Sequence, residues 1–208
     1  MALNNLKIVY FNIGTIGRAE SIRLLLEDAG IEYQYESIER TEWIPFKEKL
    51  ISEGHPAGCL PYIVLDDKMY FGSTPILRFL CKKLGQYKGS NDDEEQFVDA
   101  CADFADDFWN SYLKLLWNPT DVALKEDYEK NDGIKHLSRM ERFYGTNEGP
   151  YVLGTEISYA DFMVYHALDD QKRTQNLKNY PNLAKFIETF SVRPNIAKYL
   201  TIAPPKIE

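Results

Sequence analysis

The chain has 208 residues, 44% of them hydrophobic, which is enough to bury one large core or two modest ones. Its net charge of -8 gathers in the second part: 10 Lys and Arg stand against 11 Asp and Glu up to Leu84, then 14 against 21. With no basic stripe, this field argues against nucleic acid and anionic membrane surfaces as partners. Cys59, Cys81 and Cys101 are odd in number, widely spaced and without a C-x-x-C, which signals neither a disulfide framework nor a metal site.

The cysteines fit a reducing compartment. The opening MALNNLKIVYF lacks the basic flank and long apolar run of a signal peptide, and no run of about 18 apolar residues offers a membrane span. The expectation is a cytoplasmic protein.

In chain order, Leu6 to Phe11 reads as a short buried strand, and Ala19 to Asp28 as a helix with Ile22, Leu25 and Leu26 on one face and Gly30 just beyond its end. Glu32 to Ile38 reads as a second strand. After an irregular stretch with Gly54, Pro56 and Gly58, the runs Tyr62 to Leu65 and Lys68 to Phe71 flank the acidic turn Asp66-Asp67 as a hairpin. A helix opens at Ser73 with Pro75 in its first turn. This predicts an α/β thioredoxin-like domain, β-α-β-α-β-β-α, over residues 1–84.

Residues 85–91 lose periodicity and read as a linker. Beyond them nearly every segment reads helical: Glu94 to Trp117, Ala123 to Tyr144, Tyr159 to Gln171 and Leu183 to Ser191. The expectation is an all-α domain over residues 92–208, ending in an extended Ala203-Pro204-Pro205. Ser158 and Asp161, three residues apart, read as a capping box with a folding role.

A thioredoxin-like domain displays its reactive group where the first strand meets the first helix, because backbone N–H groups at a helix start stabilise an anion. That segment, YFNIGTIGRAE, holds no cysteine and excludes dithiol redox chemistry there. It offers the hydroxyls of Tyr10 and Thr15. A phenol is a poor base but a good hydrogen-bond donor, able to hold the thiolate of a bound thiol and lower that thiol's pKa; an ordinary packing aromatic at a strand end is the alternative for Tyr10. Cys59-Leu60-Pro61 stands where a cis-proline would turn the backbone toward a peptide-like ligand. Ser73, as helix N-cap, suits a carboxylate or simple capping. Trp43 with Lys47 or Lys49 offers an indole donor and a cation for another carboxylate, or else solvated charges on an exposed segment.

Taken together, YF...GRAESIRLLL, EWIPFK, CLPYIVLDD, GSTPILRFL, VDACADFADDF and YVLGTEISYADFMVYHAL resemble, in order and spacing, the cytosolic glutathione transferases of the tyrosine-type classes near sigma and pi. The resemblance covers nearly the whole chain. It implies that Tyr10 is the catalytic tyrosine, and that Trp43 and Lys47, or Lys49 on the pi-type spacing, contact the glycine carboxylate of glutathione. Leu60 would pair with the cysteinyl unit beside cis-Pro61, and Ser73 would bind the γ-glutamyl carboxylate. Asp107 would reach the γ-glutamyl amine across a homodimer interface.

The resemblance also places a small hydrophobic electrophile against Phe11, Ile13, Trp117 and, more loosely, Tyr112. Glutathione is then the co-substrate, and no metal is implied. The chain departs from the family in a longer IGTI turn that lacks the common arginine, and in Cys59 and Gly72, which stand where glutamines are typical. Conjugation is the leading expectation. A glutathione-dependent isomerase or peroxidase, and a non-catalytic binding protein of the same fold, are the alternatives.

Overall fold

The structure, a computed structural model, describes residues 3 and 5–207. These fall into two units: the residues up to Leu84 together with those from Arg193 onward, and residues 85–192.

In the first unit four strands form one mixed sheet of order β2-β1-β3-β4. β1 (Lys7–Phe11) lies parallel to β2 (Gln34–Ile38), with Tyr10 opposite Ser37, and antiparallel to β3 (Tyr62–Leu65), with Ile8 opposite Ile63. β3 returns as β4 (Lys68–Phe71) through a two-residue turn in which Asp66 and Asp67 both take positive φ, as a type I′ hairpin requires.

Ile8, Val9 and Tyr10 are consecutive and all buried, so β1 is covered on both faces. Alternation along the strand sends Val9 and Phe11 to one face and Ile8 and Tyr10 to the other. On the Val9 face Ile38, Leu50 and Tyr62 close a cluster with Trp43, Phe46 and Leu60, and so seat α2 (Trp43–Ser52). α1 (Glu20–Asp28) packs against α3 (Ser73–Leu84), and Ile22, Leu25, Ile76 and Leu80 on these helices are each almost fully buried.

The second unit is helical, with α4 (Asp92–Trp117), α5 (Val122–Asp127), α6 (Gly133–Tyr144), α7 (Tyr159–Asp170) and α8 (Pro181–Ser191). The Asn91 side chain caps α4 by accepting the Glu94 N–H at 3.0 Å, and four acidic residues in the first turn complement the helix dipole. Asp161 is fully buried and accepts from Ser158 N at 2.7 Å, Ser158 Oγ at 2.9 Å, Val152 N at 3.0 Å and Tyr144 Oη at 2.8 Å. The capping box at Ser158 is therefore also a core polar network. Among the described residues no helix is long and apolar enough to cross a membrane.

One expectation is corrected. The helix expected over Ala123 to Tyr144 is interrupted by one π-helical turn, Tyr128–Asp132, where the Gly133 N–H reaches the Tyr128 carbonyl five residues back. Within the stretch read as a linker, Tyr87 is buried, and its carbonyl accepts the Tyr159 N–H at 2.8 Å. A ninth helix, α9 (Pro194–Ile202), packs on α1, where Arg193 forms a two-pronged pair with the Asp28 carboxylate at 2.6 Å on each side. Residues from Arg193 onward join the first unit for that reason.

Candidate functional site

Tyr10 sits at the end of β1, buried, and its hydroxyl oxygen accepts the Arg18 N–H at 3.1 Å. The chain gets from one residue to the other through a tight turn. The Ile16 N–H bonds the Ile13 carbonyl, Gly14 and Gly17 take φ of 66° and 89°, and the Glu20 N–H bonds the Gly17 carbonyl as α1 begins. Gly17 is in direct contact with the phenol: a Cβ there would lie 2.6 Å from the Tyr10 oxygen. A phenol oxygen that accepts an N–H donates its own proton more strongly. Thr15, the other hydroxyl of this segment, is buried in the turn.

A second wall is built from α2 and the loop before β3. Phe11 packs edge-to-face on Trp43, with ring centroids 5.3 Å apart. One helical turn after Trp43, Lys47 lies along the same edge: a Cβ on Gly58 would meet its Cγ at 3.4 Å, and its charge acts on Cys59. Burial pushes the Cys59 thiol up, and Lys47 pulls part of that back. Lys49 points elsewhere, pairing with Glu53 at 3.7 Å. Of the two lysines, Lys47 is the one whose charge acts on Cys59.

The Leu60-Pro61 peptide bond is cis. The Pro61 carbonyl accepts the Gly72 N–H at 3.3 Å, which ties this loop to the head of α3. Ser73 was expected as the N-cap. Instead it is the first helical residue, and Gly72, whose carbonyl accepts the Ile76 N–H at 2.9 Å, holds the cap. Gly72 has a φ of 84°, a conformation that would cost a side chain about 1–2 kcal/mol, which gives the glycine a backbone reason for standing where an amide was expected.

Ile13 is buried rather than open. Its carbonyl accepts the Ile207 N–H at 3.3 Å from the C-terminal tail. Beneath the turn lies a group of residues that sequence reading passed over. Arg23 donates to the Gly14 carbonyl at 3.0 Å and pairs with Glu20 at 3.3 Å, while the Tyr199 hydroxyl donates to the Glu20 carboxylate at 2.9 and 3.2 Å. All three side chains are buried. Burial opposes the Arg23 charge, but Glu20 and the surrounding phenols outweigh it and hold the guanidinium charged. Three polar residues spaced as Glu20, Arg23 and Tyr199 carry no periodic signal; the only hint was a charged pair on the face of α1 that also carries the apolar residues.

The groove lined by Glu27, Tyr33, Asn195 and Lys198 lies at the other end of α1 and includes none of the site residues. In the second unit Asp107 is exposed on α4, Tyr112 packs near Tyr128 with ring centroids 6.3 Å apart, and Trp117 ends the helix 78% exposed.

Two family models match this chain: the glutathione S-transferase N-terminal domain over residues 18–83 and the C-terminal domain over 106–202. A glutathione S-transferase P of Caenorhabditis elegans is 34% identical over 208 residues, covering 96% of each chain. The chain belongs to the glutathione S-transferase family. Within it, S-crystallin SL11 of Nototodarus sloanii is 32% identical, covering 93% of this chain and 94% of its own. The solved structure of monomeric Na-GST-3, a glutathione S-transferase of the hookworm Necator americanus, superposes with a TM-score of 0.83 at 26% identity, covering 97% of this chain and 98% of that one. The four-stranded mixed sheet followed by helices is the fold of this glutathione S-transferase family.

Proposed function

We propose that the chain is a glutathione transferase that conjugates glutathione to hydrophobic electrophiles, with Tyr10 as the residue that holds the sulfur. The observation that carries this reading is the Tyr10 hydroxyl, placed at the head of α1 and accepting the Arg18 N–H. The phenol donates its proton as a hydrogen bond to the thiolate, and the thiol proton leaves to solvent. The sulfur lone pair then forms a bond to the electrophilic carbon as the leaving group departs with its electron pair. Holding both reactants together supplies the rest of the acceleration.

Trp43 and Lys47 bind the glycine carboxylate in this reading, supported by their shared edge beside Cys59. The Leu60 backbone next to cis-Pro61 pairs with the cysteinyl unit, and Ser73 at the start of α3 binds the γ-glutamyl carboxylate, where helix N–H groups favour an anion. Phe11, partly exposed beside Tyr10 at the end of β1, receives the electrophile. The protein works in the cytoplasm, in detoxification, as a homodimer in which the partner subunit's Asp107 meets the γ-glutamyl amine. Because a similar family member is described as monomeric, the mass of the chain in solution decides this last part: a monomer would leave Asp107 without that role.

The test is conjugation of glutathione to a generic aromatic halide, run beside Tyr10→Phe. Turnover that falls sharply in the variant is the expected result. A wild type that binds glutathione without turnover would instead favour a binding protein. Cys59 and Gly72 motivate that second reading, as does a relative named as a crystallin. Turnover of a hydroperoxide, or isomerisation without consumption of glutathione, would identify the other two activities open to the same thiolate.

A further inference from the structure

The turn from Ile13 to Gly17 is fastened from two directions, by Arg23 of α1, whose partner Glu20 is held by Tyr199 of α9, and by the C-terminal tail. From below, the Arg23 guanidinium donates to the Gly14 carbonyl at 3.0 Å, and its other neighbour, Glu20, is held by the Tyr199 hydroxyl of α9. The guanidinium also lies over the rings of Tyr35 and Tyr199, 4.9 and 5.5 Å from their centroids. From the outer side, the Ile207 N–H bonds the Ile13 carbonyl, and the Pro205 carbonyl oxygen fills the space where a side chain on Gly14 would start: an ideal Cβ there would be 1.7 Å from it. Gly14 is therefore the residue that lets the tail lie against the turn. The far end of that turn delivers Gly17 and the Arg18 N–H to the Tyr10 oxygen.

We infer that Arg23, Glu20 and Tyr199, with the tail at Pro205 and Ile207, are positioning residues that set the turn, and through it the Arg18 N–H, against the Tyr10 hydroxyl. The inference rests on the reading of Tyr10 as the group that holds the glutathione sulfur. It assigns a catalytic consequence to the return of α9 and the tail to the first unit. None of the five residues has to touch substrate. The physical reason is leverage: a longer turn has more ways to sit, and two fixed carbonyls, Ile13 and Gly14, remove most of them before α1 begins.

Two full-length variants test this. Tyr199→Phe removes the hydroxyl that holds Glu20 and keeps the ring beneath Arg23. Gly14→Ala puts a methyl group where the Pro205 carbonyl lies and displaces the tail. For each, the readouts are the pH at which enzyme-bound glutathione forms thiolate, followed by ultraviolet absorbance, together with kcat and the KM for glutathione. Circular dichroism confirms folding.

The expected result is a thiol titration raised by about half to one pH unit and a kcat about 3- to 10-fold lower below the wild-type titration, recovering above it. The KM should stay within about twofold, since the lost contacts act here on the tyrosine and not on the peptide contacts. Unchanged titration in both folded variants, or an effect confined to KM, would overturn the inference. A wild type that binds glutathione but forms no thiolate would overturn the reading of Tyr10 itself, and this inference with it, so the two failures are distinguishable. If Gly14→Ala does not fold, Tyr199→Phe alone decides.

Discussion

Gly17 leaves the Tyr10 hydroxyl no room for a neighbouring side chain: a Cβ at residue 17 would stand 2.6 Å from the phenol oxygen, and the residue has a φ of 89°. Contact and conformation point the same way. Gly17→Ala should strain the turn by about 1–2 kcal/mol and push the phenol from its place. A displacement of about 1 Å at a reacting centre costs on the order of 100-fold. Steady-state kinetics should show that loss in kcat, with KM for glutathione nearly unchanged. An alanine variant with wild-type kcat would show that the phenol tolerates movement.

Tyr10→Phe removes the hydrogen bond to the thiolate and leaves the aromatic packing with Phe11, whose ring centroid is 5.5 Å away. A hydrogen bond to a charged group contributes about 1.5–3 kcal/mol, equivalent to about 1–2 units in the pKa of the bound thiol. The sign follows from the thiolate being the stabilised form: without the donor the thiol's pKa rises. The rise of kcat/KM with pH should therefore move to higher pH in the variant, and activity near neutrality should fall about 10- to 100-fold. A pH profile that keeps its position would assign the sulfur to another donor, with Thr15 the next hydroxyl to substitute.

Lys47 and Lys49 are separated by one pair of substitutions. Lys47→Ala should raise the KM for glutathione about three- to fivefold, the scale of an exposed charge pair. Lys49→Ala should leave it within about twofold, because that lysine faces Glu53. A second measurement reads the same geometry without glutathione. Cys81 and Cys101 are buried and Cys59 is half-buried, so a small alkylating reagent reports on Cys59. With Lys47 gone, nothing offsets the burial that raises this thiol, so the thiolate fraction falls and alkylation at neutral pH should slow. Equal effects of the two lysines on both measurements would contradict the placement of α2.

Asp161 tests the second unit. Asp161→Ala leaves the Tyr144 hydroxyl and the Val152 and Ser158 N–H groups unpaired in a fully buried place. The loss should reach about 3 kcal/mol or more, since each orphaned donor costs about 1–3 kcal/mol. Tyr144→Phe removes only one of the four hydrogen bonds and should cost about 1 kcal/mol. Urea unfolding curves compare the two variants with the wild type, and equal midpoints would deny the network its role.

Several of these features could be read along the chain because they depend on neighbours in sequence. The β3–β4 hairpin is bounded by Asp66-Asp67, and the capping box needs only Ser158 and Asp161. The strand leading to Tyr10 declares itself by Ile8 and Val9. The cis bond at Pro61 followed from fold context, since trans is the default for a single X-Pro bond. The interruption at Tyr128 escaped because a π turn changes hydrogen bonding without breaking the apolar spacing across it.

Sequence alone therefore determined the order of elements up to Leu84, the belonging to a glutathione transferase type of chain, and Tyr10 as the hydroxyl at the strand end. Each of these is local, or is a matter of motifs in order. Tertiary structure decided which lysine faces Cys59, because the rotation of α2 is set by Phe46 and Leu50 packing on the sheet. It also decided that α9 and the tail return to α1 and clasp the turn beside Tyr10. That return depends on Arg193 meeting Asp28 and Tyr199 meeting Glu20 across some 165 to 179 residues of chain. Contacts of this kind leave no period in the sequence, because they are chosen by complementary charge and shape after the chain has folded.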